Sequence, residues 1–168
     1  RVRLAAERPA CGTFAAYRYH AMSTHPDIVD VGTTSDRPGE MRVSALTIDG
    51  APDASLLDAL RAQLNRDDVR PATDQVVVIP AERVAFRIEA HLTLYSGAAA
   101  GDAQRQAEQR LQDWAVQQRR RLGRDLVPSQ IIERLQAVQG VYRVELPQPA
   151  FRELTEHQWG DCEDIQVV

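Results

Sequence analysis

Four histidines, His20, His25, His91 and His157, are the first residues to test for chemistry. A helical metal pair sits four residues apart, so that both imidazoles project from one face. His20 and His25 are five apart, and Pro26 ends the helix between them. His91 falls on the polar side of an alternating stretch with no carboxylate in register nearby, and His157 lies in a loop beside Trp159. All four read as surface or satisfied histidines. Asp49-Gly50 followed by Asp53 brings two carboxylates close together. A calcium loop needs alternating oxygen ligands and a distal bidentate Glu, and Pro52 and Leu56 spoil that spacing. A turn followed by a helix cap accounts for these residues.

Nucleophile signatures are absent. No Gly-x-Ser-x-Gly elbow occurs, and neither Cys11 nor Cys162 has a basic surrounding that would favour its thiolate, apart from Arg8 near Cys11. Gly97 and Gly101 frame alanines without the Lys and Ser/Thr of a phosphate loop. No catalytic, cofactor-binding or metal-ligating residue is therefore assigned, and no cofactor is expected. The one basic concentration is Arg119-Arg120-Arg121 with Arg124. Nucleic-acid binding would want it beside exposed aromatics, but Trp114, the nearest aromatic, belongs to an apolar stripe. Cations at the negative end of a helix dipole are one account of it. A protein interface is the other, since Arg is enriched there, and Arg119, Arg120 and Arg124 are the candidate partner-contacting residues.

These residues sit in a chain of ordinary globular composition. Its 168 residues are 43% hydrophobic and 26% charged, enough for one domain or two small ones without a metal or disulfide staple. All 20 basic residues are Arg, which reads as coding bias, and the net charge of −4 argues against general phosphate-backbone binding. The two cysteines are expected to be reduced thiols. No run approaches the ~18 apolar residues of a membrane span. The chain opens Arg1-Val2-Arg3-Leu4, with neither an initiator Met nor a signal segment, so it is expected to continue from a missing upstream part.

Residues 1–12 read as a lead-in segment. Thr13 is placed to cap a helix whose Phe14, Tyr17 and Ala21 share a face, and Pro26 stops it. Strands are predicted at 28–33 and 41–48 around the turn signal Ser35-Asp36-Arg37-Pro38-Gly39. Asp53 caps a second helix with Leu56, Leu57, Leu60 and Leu64 in one arc. Val76-Val77-Val78-Ile79 reads as a strand buried on both faces. Helix, two strands, helix and strand make a first α+β unit over 13–80.

The second unit, 81–168, opens with a clear period of two. Val84, Phe86, Ile88, Ala90, Leu92 and Leu94 alternate with residues that are mostly polar. Asp102 is expected to cap a long helix to about Leu122, with a stripe of Ala103, Ala107, Leu111, Trp114, Ala115 and Leu122, and Gly123 at its end. A shorter helix follows Pro128, with Ile131, Ile132, Leu135 and Val138 on its apolar face. Strands are predicted at 141–146 and 162–168, with Pro147 and Pro149 breaking the chain between them. The fold class is thus α+β: two small units, each a short sheet packed against amphipathic helices.

Several stretches, in order, resemble one family. They are Tyr17-Arg18-Tyr19-His20-Ala21-Met22-Ser23, Leu46-Thr47-Ile48-Asp49-Gly50, Asp68-Val69-Arg70-Pro71-Ala72-Thr73-Asp74, Leu92-Thr93-Leu94-Tyr95, Leu122-Gly123-Arg124-Asp125-Leu126, and Gly140-Val141-Tyr142-Arg143-Val144-Glu145-Leu146. Spaced from Tyr17 to Leu146, they are similar to the baseplate J-like proteins of contractile-tailed phages and prophages. Tyr stands in Gly140-Val141-Tyr142 where Gln is common in the family, and Ala72 where a larger apolar residue is usual. Family members carry a substantial upstream part, so the chain resembles their middle and C-terminal portions.

The resemblance implies a structural role in the baseplate wedge, without catalytic residues. Such a protein is made in the bacterial host cytoplasm and ends in the virion tail baseplate. There it contacts other wedge and hub proteins and copies of itself, and takes part in triggering contraction. Neither nucleic acid nor membrane is an expected partner, and the isolated fragment is expected to be monomeric or weakly associating. The alternative is a ferredoxin-like nucleic-acid-binding module, whose element order the first unit mimics. It would need aromatics on an exposed sheet face, where the 84–95 strand instead offers Arg87, Glu89, His91 and Thr93.

Overall fold

The computed structural model describes residues 12–168. The lead-in segment expected at 1–12 lies outside that range except for Gly12, and so does Cys11. The described chain divides into two compact units. The first runs to Arg83 and also takes Arg120–Gly123 and Thr155–Trp159; the second takes Val84–Arg119, Arg124–Leu154 and Gly160–Val168. The sequence reading gave everything beyond residue 80 to the second unit, so the two late segments in the first are a difference of substance.

In the first unit, helix α1 (Phe14–Thr24) starts where the Thr13 hydroxyl accepts the Ala16 N–H at 3.1 Å. It buries Ala16, Tyr17 and Ala21, while Phe14 stays exposed, because the buried arc lies one position round from the expected face. Strands β1 (Ile28–Thr34) and β2 (Glu40–Thr47) pair antiparallel, and β3 (Gln75–Pro80) joins β2 in parallel, giving the order β1-β2-β3. Helix α2 (Ala54–Leu64) connects β2 to β3, and Asp53 caps it by accepting the Leu56 N–H at 2.8 Å.

Met41, Val43 and Ala45 of β2 join Tyr17, Ala21, Leu60 and Leu64 in one core. A register shift between Ile28 and Asp30 lets both Ile28 and Val31 of β1 reach it, since an extra residue in a strand resets the alternation. The strand buried on both faces is β2, not β3. As an edge strand, β3 buries only Val78, leaving Val77 and Ile79 partly exposed. A continuous apolar run names a strand but does not place it in the sheet.

In the second unit the sheet order is β5-β4-β6, formed by β4 (Glu82–Leu94), β5 (Val141–Gln148) and β6 (Gln158–Val167). Val84, Ile88 and Ala90 of β4 are buried, and Phe86, Leu92 and Leu94 pack against the core, as the alternation predicts. Pro147 does not break β5. It lies within an edge strand, at the irregularity in its pairing with β4, a place where proline is tolerated.

Helix α3 (Ala100–Arg119) buries Ala103, Ala107, Leu111, Trp114 and Gln118. Asp102 lies in its first turn rather than at its cap, and the helix ends before Leu122. Gln118 takes the core position four residues after Trp114, and its Nε2 donates to the Arg124 carbonyl at 2.5 Å. Helix α4 (Pro128–Gln136) has Pro128 in its first turn and buries Ile131 and Leu135. Among the described residues, four helices and two three-stranded sheets give the α+β class. Neither sheet is the four-stranded one a ferredoxin-like module would present.

Candidate functional site

Of the four histidines, His157 bonds residues distant in sequence and the other three meet near neighbours. His157 precedes β6 in a turn, with Nε2 2.9 Å from Thr34 Oγ1 and Nδ1 3.1 Å from Ser44 Oγ. Burial pushes its pKa below the ordinary histidine value, and Arg42 adds to that while Asp36 and Glu156 oppose it. His91 has the carboxylate that the sequence reading denied it. Nε2 lies 3.2 Å from Glu89 Oε1, two residues back on the same strand face, and Glu145 stands opposite on β5. His25 Nδ1 accepts the Asp27 N–H at 3.3 Å, and the His20 ring meets Tyr19 edge-on at 5.3 Å. Cys162 is a free thiol whose pKa burial raises to about 11, which keeps it a poor nucleophile.

His25, Asp27, Asp49 and Asp53 line a cavity of about 360 Å³ in the first unit. Asp53 is engaged as the α2 cap, and Gly50 takes a φ of +118° in the turn before it. Among the described residues no group of three or more His, Cys, Asp or Glu side chains is arranged to hold a metal ion. No helix there is long and apolar enough to cross a membrane.

A buried carboxylate in the first unit belongs to no sequence motif. Asp30 is buried in β1. Its Oδ1 accepts from Arg18 Nη2 at 2.5 Å and from the Val31 N–H at 3.0 Å, and its Oδ2 accepts the Leu122 N–H at 3.0 Å. Arg18 also donates to the Val31 carbonyl. This carboxylate therefore ties α1, β1 and the late segment Arg120–Gly123 together. The other late segment, Thr155–Trp159, crosses close to Gly32, where a Cβ would stand 1.8 Å from the Glu156 carbonyl oxygen. Ser44 Oγ donates to that same carbonyl at 3.2 Å. Leu122 and Trp159 complete a cluster with Leu46 and Ala81. A charge and a glycine inside one short strand were the available signals, because each marks a place where another backbone comes close.

The arginines of the candidate interface do not form one unpaired patch. Arg119, in the last turn of α3, has its Nε 3.6 Å from Asp161 Oδ1. Arg124 donates from Nη1 to the Gln117 carbonyl at 3.4 Å. Arg120 is exposed and belongs to the first unit, whereas Arg119 and Arg124 belong to the second.

Two consecutive domain descriptions match the chain in order. The Baseplate J-like central domain matches residues 9–80, and the Baseplate J-like protein C-terminal domain matches residues 86–168. The chain belongs to the baseplate J-like family. Among its relatives, Baseplate protein J of Escherichia phage P2 is 36% identical over 160 residues, covering 94% of this chain and 52% of that protein. The chain thus spans about half the length of that relative. A chain in the 6-fold symmetrised cryo-EM structure of the anti-feeding prophage baseplate shares the fold with a TM-score of 0.64. That match covers 97% of this chain and 40% of the other at 18% identity, a likeness of fold.

Proposed function

We propose that this chain is the middle and C-terminal part of a structural component of a contractile-tail baseplate, acting in the wedge through protein–protein contacts rather than through a reaction. The observation that carries this reading is the ordered match to the two domains of one family over nearly the whole chain. The engagement of His157, Asp30 and Asp53 in internal bonds supports it, since each has a full structural role. Its partners are other wedge and hub proteins and further copies of itself in the intact baseplate, with neither nucleic acid nor membrane among them. It is made in the host cytoplasm and ends in the virion tail, where a change of subunit arrangement passes on the trigger for contraction.

Electron microscopy of particles from an induced lysogen carrying a tagged copy tests this directly. The tag is expected at the baseplate, and particles without it there would overturn the reading. Arg119, Arg120 and Arg124 are proposed as a contact with an acidic surface of a neighbouring subunit, where Arg bonds carboxylates bidentately. Reversing all three to Glu should lower the yield of contractile particles, and reversing the exposed Arg120 alone should lower it in part while moving the melting temperature by about 4 °C or less, because an exposed charge contributes little. Normal yield would reduce these residues to a solvated face. By itself the chain is expected to scatter light as a monomer or a weakly associating species.

A further inference from the structure

We propose that the second unit carries a preformed docking pocket for a segment of a neighbouring baseplate protein that bears an apolar side chain and a carboxylate within a few residues of each other. The proposal rests on the baseplate reading for the identity of the neighbour. A cavity of about 380 Å³ is lined by Phe86, Leu126, Pro149 and Phe151, with Arg87 and Arg152 as its only charged residues. Its floor is firm. Leu126 is buried, and Phe86 stands edge-on against the buried Trp114 at 6.0 Å. Its wall is also held, because the Leu126 N–H donates to the Arg152 carbonyl at 2.9 Å and the Arg152 N–H returns to the Leu126 carbonyl at 3.2 Å. The Asp125 carboxylate accepts the Leu154 N–H at 2.8 Å just beyond. A wall fixed in this way loses little freedom on binding.

What this pocket lacks indicates its occupant. Phe151 is 58% exposed at its rim. Arg87 and Arg152 are exposed, and neither guanidinium has a hydrogen-bonding or ionic partner among the described residues. Elsewhere arginines such as Arg42, Arg61, Arg66 and Arg105 are paired with carboxylates in a chain whose net charge is −4. An apolar hollow beside two uncompensated guanidiniums complements an aliphatic or aromatic side chain flanked by Asp or Glu, with Arg and exposed aromatics as the residue types that anchor interfaces. A phosphate backbone would bring the right charge, but it would meet the net negative field of the chain.

The test places p-benzoylphenylalanine at position 151 of the full-length protein, assembles particles, irradiates them and sequences the cross-linked peptide. One peptide of another baseplate protein is expected, with Asp or Glu within about four residues of an aliphatic or aromatic side chain, roughly the reach of a cavity this size. Reversing Arg87 and Arg152 to Glu should cut the cross-link at least about tenfold, as loss of an interfacial charge pair does. Replacing the partner's carboxylate by Arg in that double variant should restore it. An unchanged melting temperature for the double variant separates loss of docking from loss of fold. A cross-link to a second copy of this chain, to nucleic acid, or to a peptide without a carboxylate would overturn the proposal, as would no cross-link in particles that contain the protein. Absence of the protein from the particles would instead sink the baseplate reading and this inference with it.

Discussion

At the scale of single residues, the first unit depends on side chains that a motif search passes over. Asp30 is the clearest. Its carboxylate is 10% exposed and satisfies two backbone N–H groups, whereas its partner Arg18 is 45% exposed. Asp30→Ala leaves the N–H groups of Val31 and Leu122 buried without an acceptor and should cost roughly 2–4 kcal/mol. Arg18→Ala removes an ion in contact with water and should cost about 1 kcal/mol or less. Urea midpoints rank the two variants, and a larger loss for Arg18→Ala would mean that the ion pair, not the backbone bonding, holds the node. His157 adds a pH dependence. Burial lowers its pKa in the folded chain, so the unfolded chain takes up its proton first as the pH falls. Its contribution to stability is complete above about pH 6.5 and declines as the pH falls from there toward the folded value. Gln can bond both hydroxyls without titrating. The drop in urea midpoint between about pH 7.5 and 5.5 should therefore be smaller in His157→Gln than in the parent. An equal drop would assign the effect to other groups.

At the scale of elements, β4 is a strand whose two faces have opposite tasks. Ile88 is 1% exposed in the core of the second unit, while Arg87 beside it points to solvent. Ile88→Asp should cost on the order of 4 kcal/mol or more, because it buries a charge with no partner, and Arg87→Ala about 0.5 kcal/mol or less. Equal urea midpoints would mean that the alternation has been assigned the wrong phase. Helix α3 illustrates a subtler rule. Its buried stripe ends on Gln118 rather than on Ala115 and Leu122, because the chain leaves the helix at Arg119 and a long amide can both fill the last core position and bond the carbonyls of Arg124 and Asp125. Hydropathy alone counts Gln as a surface residue, although its position four residues beyond Trp114 places it in the stripe.

At the scale of the whole molecule, the first unit is not contiguous in sequence. Its sheet buries Leu46 with Leu122 and Trp159, and Ser44 with His157 and Glu156, all supplied from much later in the chain. A chain ending at Arg83 keeps α1, α2 and the three strands of this sheet but exposes Leu46 and Val29 and leaves Asp30 without its Leu122 donor. Such a truncation is expected to lose cooperative unfolding and side-chain NMR dispersion, while the full chain retains both. A truncated chain with a sharp unfolding transition would mean that the late segments are accessories rather than parts of the core.

The sequence by itself determined the element types, because these follow from covalent geometry that acts over a few residues. Alternation in 84–94 made a strand with one face inward, the leucine arc of 56–64 made a helix with its buried face at Leu60 and Leu64, and Thr13 and Asp53 marked two helix starts. The ordered family stretches added the baseplate J-like assignment, which periodicity alone does not contain. Only the tertiary structure decided which strand lies in the centre of the first sheet, why Asp30 and Gln118 are buried, and which late segments complete the first core. It also brought Phe86, Leu126 and Phe151 into one pocket beside Arg87 and Arg152. Each of these depends on what covers a face, and the covering group comes from a distant point in the chain: Ser44 and His157, bonded through their side chains, are 113 residues apart. Local pattern reports which way a side chain points; burial requires a second surface, and that surface exists only once the chain has folded back on itself.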